Sequence, residues 1–381
     1  MIKNIKLLLS QPDTRAVALV FMALAITMGA FVTRLVEIKI KFGLGEAELG
    51  TALFFIPLGA VTLLPFYSKV IGKFGERQTT AWSICILLLA MIFPWYATDQ
   101  TWLMASFYLI GLSVGLTDVA MNAEVAEIER QNSKVIISSC HGFFSIGGMI
   151  GAILSSVFIA GSVSLSYQMM IIAFVLIAVL LPLFKHMINA PAHEAKAGGH
   201  FEFPTSKVLA FAVIGFCVMM SEGGITDWAT IFIKENLKVA GEYAGAGFAG
   251  FSLLMAIARF QGDSLHIRFG AKRLVIIGAL IAVIGLFLVL LQTPLWAIIG
   301  FSLAGLGYSV IVPILFSTAA KQEGVKPSKG IATVASSGYI GMLAGPVLIG
   351  FIADSYGLVN GFTFLLGLTV LALLLSFRAL R

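Results

Sequence analysis

Charge is what this chain has least of. Only 12% of its 381 residues are charged and 59% are hydrophobic, against about 25% charged and about 45–50% apolar in ordinary soluble domains. With a mean hydropathy of +0.98, a soluble globular fold is excluded. Cysteine is nearly absent. Cys85, Cys140 and Cys217 are odd in number and lie in or near apolar runs, which excludes a disulfide framework. No phosphate-binding Gly-Lys-Ser loop, no metal-spaced Cys/His set and no nucleophile elbow occurs. The expectation is therefore no enzyme, no cofactor and no ATP-driven step by this chain alone. No polar stretch is long enough for a sizeable soluble domain. Lys3 and Lys6 precede only Leu7-Leu8-Leu9, too short for a cleavable signal, so the first apolar run is expected to act as an uncleaved insertion signal.

What remains is apolar length. A membrane helix needs roughly 20 apolar residues, and such runs recur at 14–38, 46–70, 79–97, 101–126, 135–160, 164–186, 207–233, 242–265, 272–292, 294–320, 329–353 and 358–379. The expected fold is an all-α membrane protein of twelve transmembrane helices in two pseudo-symmetric six-helix bundles, 1–188 and 206–381. Residues 189–205, with Pro191, Gly198, Gly199 and Pro204, read as a cytoplasmic linker. Pro57, Pro94, Pro182, Pro313 and Pro346 fall inside runs and predict kinks.

The net charge of +6 does not point to nucleic acid, because the basic residues cluster at the ends of runs. With an inside N-terminus, 20 of the 25 Lys and Arg fall on one side and 5 on the other, which the positive-inside rule reads as cytoplasmic termini. The expected location is a bacterial inner (plasma) membrane. His186, His193 and His200 recur every seven residues but lack a supporting ligand set, and read as solvated loop histidines rather than a metal site.

The two halves echo each other. Lys73-Phe74-Gly75-Glu76-Arg77 returns as Arg268-Phe269-Gly270-Ala271-Lys272, and Gly50 as Gly245, both shifted by 195; Thr33-Arg34 returns as Thr226-Asp227, shifted by 193. Internal repeats are how many transporters are built, with the substrate site at the repeat interface near the midplane. On these residues the chain resembles the major facilitator superfamily over essentially its whole length. Its two basic loops resemble the G-x-x-x-D-R-x-G-R-R signature, with Gly72 and Ile267 in place of the Asp and Ser68 and Asp263 in place of the first Gly. Asp118-x-x-x-Asn122 resembles the helix-4 acid-x-x-x-Asn motif of the fucose permease group of proton symporters, and Ser145-Ile146-Gly147 resembles part of its helix-5 pattern. Arg34 stands where that group has an acid, and Phe144 where it has a polar residue. The resemblance implies that Asp118 is a protonatable carboxylate.

Candidate functional residues are the few polar groups inside runs. A central membrane charge costs roughly 2.5–3.5 kcal/mol on insertion scales, so such groups usually face a cavity or a partner. Asp118 and Asn122 share a helix face; Asp118 is a candidate for proton coupling or substrate binding, or else a satisfied structural acid. Glu222, in Ser221-Glu222-Gly223-Gly224, is the second proton-carrier and substrate candidate. His141, with an unperturbed pKa of about 6.5, reads equally as a proton relay and as a packed histidine. Arg34 and Asp227 hold matching positions and suggest an outer gate; Arg34 binding an anionic substrate, or pairing with Glu37 one turn on, are the rival readings. Lys73 and Arg77 are candidates for a cytoplasmic latch with Glu127, or with Glu124 or Glu129. Trp228, Tyr308 and Tyr339 are aromatic candidates for stacking on a sugar or another flat solute. The glycine sets 142/147/148/151 and 245/247/250 mark helices 5 and 8, and 338/341/345 marks helix 11 opposite Gly50 and Gly59 in helix 2. The resemblance implies that the 5/8 and 2/11 contacts are where the halves rock.

The expected function is secondary active transport, with proton-coupled symport of a small polar organic solute (a sugar or organic acid) by alternating access. A proton-driven efflux antiporter for drugs or metabolites is the alternative, and a non-transporting membrane sensor the alternative of another class. The expected partners are the solute, protons and the lipid bilayer, with the chain a monomer.

Overall fold

The computed structural model describes residues 5, 8–132, 136–188, 206–322 and 325–379. Apolar runs become helices because lipid offers the backbone no hydrogen bonds, so each segment must satisfy its own. Twelve helices are long and apolar enough to cross a membrane. They are α1 (Pro12–Val32), α2 (Glu46–Tyr67), α3 (Glu76–Tyr96), α4 (Gln100–Asn132), α5 (Ile137–Ala160), α6 (Leu165–Phe184), α7 (Val208–Asn236), α8 (Gly241–Gly262), α9 (Ala271–Val289), α10 (Pro294–Ala320), α11 (Lys329–Tyr356) and α12 (Leu358–Ala379). No strand occurs among the described residues. The fold is that of an all-α membrane protein with twelve transmembrane helices. The proposed linker at 189–205 lies outside the described residues.

Several runs are interrupted, three of them next to candidate residues or prolines. The first run ends at Val32, and a separate helix, Leu35–Phe42, follows a joint at Thr33-Arg34. Thr33 Oγ1 donates back to the Gly29 carbonyl at 2.8 Å, closing the end of α1. Within α3 the helix stops at Ala90 and resumes at Phe93–Tyr96 around Pro94, and within α10 it stops at Tyr308 and resumes at Ile311, just before Pro313. Pro182 and Pro346 sit inside continuous helices.

By their contacts the residues form two compact units, Met1–Gly43 with Phe55–Ala197, and Leu44–Phe54 with Gly198–Arg381. The two units use the same pairings. In the first, α1 packs on α5, α3 on α4 and α6 on both α1 and α3; in the second, α7 packs on α11, α9 on α10 and α12 on both α7 and α9. The loop repeat is structural too. Gly75 has φ 80° and ψ 161°, and Gly270 φ 74° and ψ 162°. Each ends a helix in the left-handed region that only glycine enters without strain, and each amide returns to a carbonyl four residues back.

The glycines explain the pairings inside each unit. Without a hydrophobic force between helices in lipid, small residues set how closely backbones approach. Gly147 and Gly151 lie against Met22, Ile26 and Ala30 of α1. Gly247 and Gly250 lie against Phe301 and Ser302 of α10. Gly338 and Gly341 lie against Met219 and Phe216 of α7, and Gly59 against Gly111 of α4. Gly50 meets α11 on the backbone of Pro346 and Gly350; Gly350 in turn lies against the Glu46 carbonyl. This backbone contact is why Leu44–Phe54 groups with the second unit. A Cβ on Gly151 would overlap the Ile26 carbonyl and lie 2.7 Å from the Ala30 nitrogen, whereas one on Gly72 would meet nothing within 4 Å. We expect Gly151→Val to destabilise by about 1–3 kcal/mol or more through overpacking, and Gly72→Ala to stay within about 0.5 kcal/mol. Thermal unfolding of the two variants in detergent checks this; equal melting midpoints would contradict it.

Candidate functional site

In the first unit, Asp118 lies halfway along α4 and is half-buried. Its partner is Asn122, whose amide donates to the Asp118 carboxylate at 3.2 Å and to the Asp118 carbonyl at 2.8 Å. The acid-x-x-x-Asn spacing therefore makes a direct pair on one helix face, one turn apart. No ion pair involves Asp118 among the described residues. His141, in the first turn of α5, stands edge-on to the Phe21 ring of α1, with centroids 5.3 Å apart and planes at 80°.

Arg34 is buried, at 3% exposure, and its guanidinium is engaged at every nitrogen. Nη1 donates to both Glu37 oxygens at 2.6 and 2.8 Å, Nε to Gln168 Oε1 at 2.8 Å, and Nη2 to the Val163 carbonyl at 2.8 Å. Gln168, itself buried, donates to Ser155 Oγ at 2.5 Å, and Ser155 to the Ala30 carbonyl at 2.7 Å. The network ties the α1 joint to α5 and α6. Of the readings of Arg34, the local pairing with Glu37 is the one its described contacts show. The reason is distance along the chain: Glu37 arrives one helical turn away at no cost in loop closure. Charge counting had no means of finding Gln168.

The latch candidates sit toward the C-terminal end of α4 and at the turn that leads into α3. Glu127 is taken by its own helix, with Arg130 at 2.5 and 2.8 Å and Gln131 at 2.7 Å. Lys73 is exposed and lies over the Phe74 ring at 5.3 Å. Glu129 accepts from the amides of Ile136 and Ile137 at 2.6 and 2.8 Å, capping the free donors at the start of α5. Glu124 lies within electrostatic reach of Arg77.

In the second unit, Glu222 of α7 pairs with Arg259 of α8, Nη2 to Oε1 at 3.4 Å, with exposures of 28% and 17%. Arg259 had counted only as a basic residue near the end of its run; it is the functional candidate that sequence reasoning missed. Its sole signal was position, three residues ahead of the Gly-Asp-Ser that opens the polar end of that run. Tyr308 is enclosed at 1% exposure, its hydroxyl 2.6 Å from Thr369 Oγ1. Trp228 is fully enclosed. Neither ring is open to stack on a solute in this conformation, because both are spent on the unit's own core. Tyr339, at 40% exposure, is the open ring of the three. Asp227 is half-buried, with no described hydrogen bond or ion pair. No group of three or more His, Cys, Asp or Glu is placed to hold a metal among the described residues.

Twelve membrane helices in two like-paired units, with acids and two arginines, Arg34 and Arg259, set inside them, are the architecture of a multi-pass transporter. The chain belongs to the Major Facilitator Superfamily, whose family description matches residues 16–221 and 211–381. It is 29% identical to an uncharacterized MFS-type transporter of Yersinia pestis over 93% of each chain, and 28% identical to membrane protein MosC of Rhizobium meliloti over 93% of this chain and 87% of that one. Among solved structures its fold is similar to a variant of the nucleoside transporter NupG (TM-score 0.74, 14% identity, 97% of this chain and 100% of that one). It is similar too to a bacterial homolog of the human lysosomal transporter Spinster (TM-score 0.68, 15% identity, 96% and 95%).

Proposed function

We propose that this transporter moves a small polar organic solute by alternating access, coupled to protons through Asp118. The observation that carries the reading is the company Asp118 keeps. A carboxylate midway along a membrane helix, with an amide and no cation beside it, is far costlier as a lone anion than as a neutral acid. Protonation removes that cost, and water reaching the site restores it, so loading and release follow exposure to one compartment and then the other. Asn122 accepts this role in either state, because its amide donates to the anion and its carbonyl can receive the acid's proton. His141 stays a candidate relay and Asp227 a second unpaired acid. With basic residues at the run ends as described, the termini are cytoplasmic; inward transport follows from the hydrophilic cargo that the polar centre suits and from the helix-4 resemblance to a sugar symporter.

The Glu222–Arg259 pair supports the organic-acid form of the substrate over the sugar. At 3.4 Å and partly exposed it is a loose pair, and a substrate carboxylate offers the guanidinium a better, bidentate partner. Glu222 then takes the freed space as hydrogen-bond acceptor or proton acceptor. We expect Arg259→Ala to weaken uptake of anionic solutes roughly 10–100-fold in KM, matching about 1.5–3 kcal/mol for a hydrogen bond to a charged group, and to spare neutral ones. Transport assays across matched acid and alcohol substrates check this. The test of the function as a whole is uptake into proteoliposomes, after a thermal-shift screen of sugars, organic acids and nucleosides picks the solute. An imposed inward proton gradient should drive accumulation without sodium; accumulation only with an outward-directed exchange would make the protein an antiporter, and saturable binding without exchange a sensor.

A further inference from the structure

A second polar site lies away from Asp118, where α3 and α4 meet near the end of the unit that carries the N-terminus. Thr117 Oγ1 donates to Ser83 Oγ at 2.9 Å and sets the register of the two antiparallel helices. On α3, residues 76, 79, 80 and 83 recur at helical spacing and so share the face turned to α4. On α4, Glu124 follows Thr117 by two turns on the face turned to α3. The register therefore sets Glu76 opposite Glu124, with Thr79 and Thr80 on the same face about one turn further along α3.

What these side chains lack is partners. Glu124 is fully buried, and one carboxylate oxygen accepts the Ile188 amide just beyond α6. Its other oxygen, Glu76 Oε2, Thr79 Oγ1 and Thr80 Oγ1 are all buried without a hydrogen-bond partner. Thr79 and Thr80 are fully buried themselves. Hydroxyls in helices usually return to a carbonyl four residues back; these two do not. Leaving a buried polar group unmade costs about 1–3 kcal/mol, more for a charged one, so four together at one spot call for a ligand. The charges in reach of Glu124 are Asp13, Glu76 and Arg77, three carboxylates in all against a single guanidinium. Asp13 is already engaged by the Thr14 amide at 2.7 Å and by Asn132 at 3.3 Å.

A hard cation takes oxygen ligands at about 2.3–2.6 Å, and buried carboxylate and hydroxyl oxygens left without a hydrogen-bond partner along one interface are the donor type it uses. Without His or Cys the set does not suit zinc, copper or nickel, and a magnesium ion holds its own water too firmly for it. Calcium asks for six to eight oxygens, where this face offers four. We propose that Glu76, Thr79, Thr80 and Glu124 bind a sodium ion that pins α3 to α4 and, through Glu124, to the chain leaving α6.

The test is thermal unfolding of the full-length protein in detergent at fixed pH and ionic strength, with sodium chloride titrated against choline chloride. Sodium should raise the melting midpoint saturably by a few degrees. Thr80→Val and Glu124→Gln should abolish that rise; the glutamine keeps an oxygen for the Ile188 amide. Binding of radioactive sodium to the unaltered protein, displaced by unlabelled sodium but not by choline, reads the site with no variant at all. No shift and no binding would overturn the proposal, as would a shift that survives both substitutions or one given equally by choline. A shift given by calcium alone would overturn the choice of ion. None of these readouts passes through Asp118, so failure here leaves proton coupling standing and failure of coupling leaves this site standing.

Discussion

Asp118→Asn abolishes proton-driven accumulation and leaves solute exchange intact. With one proton per solute, each pH unit across the membrane supports about tenfold accumulation, since about 1.4 kcal/mol is a factor of ten. The asparagine keeps the shape of the side chain and its contact to Asn122, which is 3.2 Å away in the native pair, but cannot carry a proton. Substrate binding and the rocking of the protein therefore continue, and the variant equilibrates solute instead of concentrating it. Counterflow in proteoliposomes should run near the wild-type rate while the accumulation ratio falls to about 1, the value an uncoupled carrier reaches. Accumulation that persists unchanged would remove Asp118 from the coupling step. Loss of exchange along with accumulation would make it a substrate ligand first.

Arg34→Met should be the most destabilising single change among the candidate residues. It strips Glu37, Gln168 and the Val163 carbonyl of their shared donor at once. Removing one partner of a buried ion pair costs about 3–5 kcal/mol, because the other charge stays behind unpaired. The consequence reaches past Arg34, since Gln168 also holds Ser155 and through it the Ala30 carbonyl. The damage should appear as a lowered melting midpoint and poor yield, with Arg34→Lys intermediate because an ammonium cannot reproduce the planar fork. Charge reversal separates this account from a gate. Arg34→Glu combined with Glu37→Arg should recover part of the lost stability, and Arg34→Glu combined with Asp227→Arg should recover none. Rescue by the second pair and not the first would restore the gate.

Apolar length and spacing carried the fold because membrane helices are decided locally, one run at a time. The helix count, the repeat in the two basic loops and the Asp118–Asn122 face were legible for that reason. Gly75 and Gly270 were visible as a repeat, and the structure gives the cause in their matching left-handed turns. Partners were less legible. Arg34 had one candidate close by in sequence and one by symmetry, and only three-dimensional packing adds Gln168, 134 residues away. Glu222–Arg259 spans 37 residues and two helices, and nothing in the spacing links them. The glycine sets were legible only in part, because a small residue announces a close approach without naming the neighbour: Gly151 and Gly341 meet helices of their own units. Trp228 and Tyr308 misled because a large aromatic ring fills a core as readily as it lines a binding site.

The central claim is that solute and proton move together through a carboxylate on α4. The direct measurement is the pH of a weakly buffered medium when solute is added outside proteoliposomes holding no proton gradient. The account predicts that solute entry draws protons in, so the medium turns alkaline with the wild-type protein and stays flat with Asp118→Asn at equal solute flux. Alkalinisation of the same size in the variant, or solute entry by the wild type with no change in pH, would contradict it.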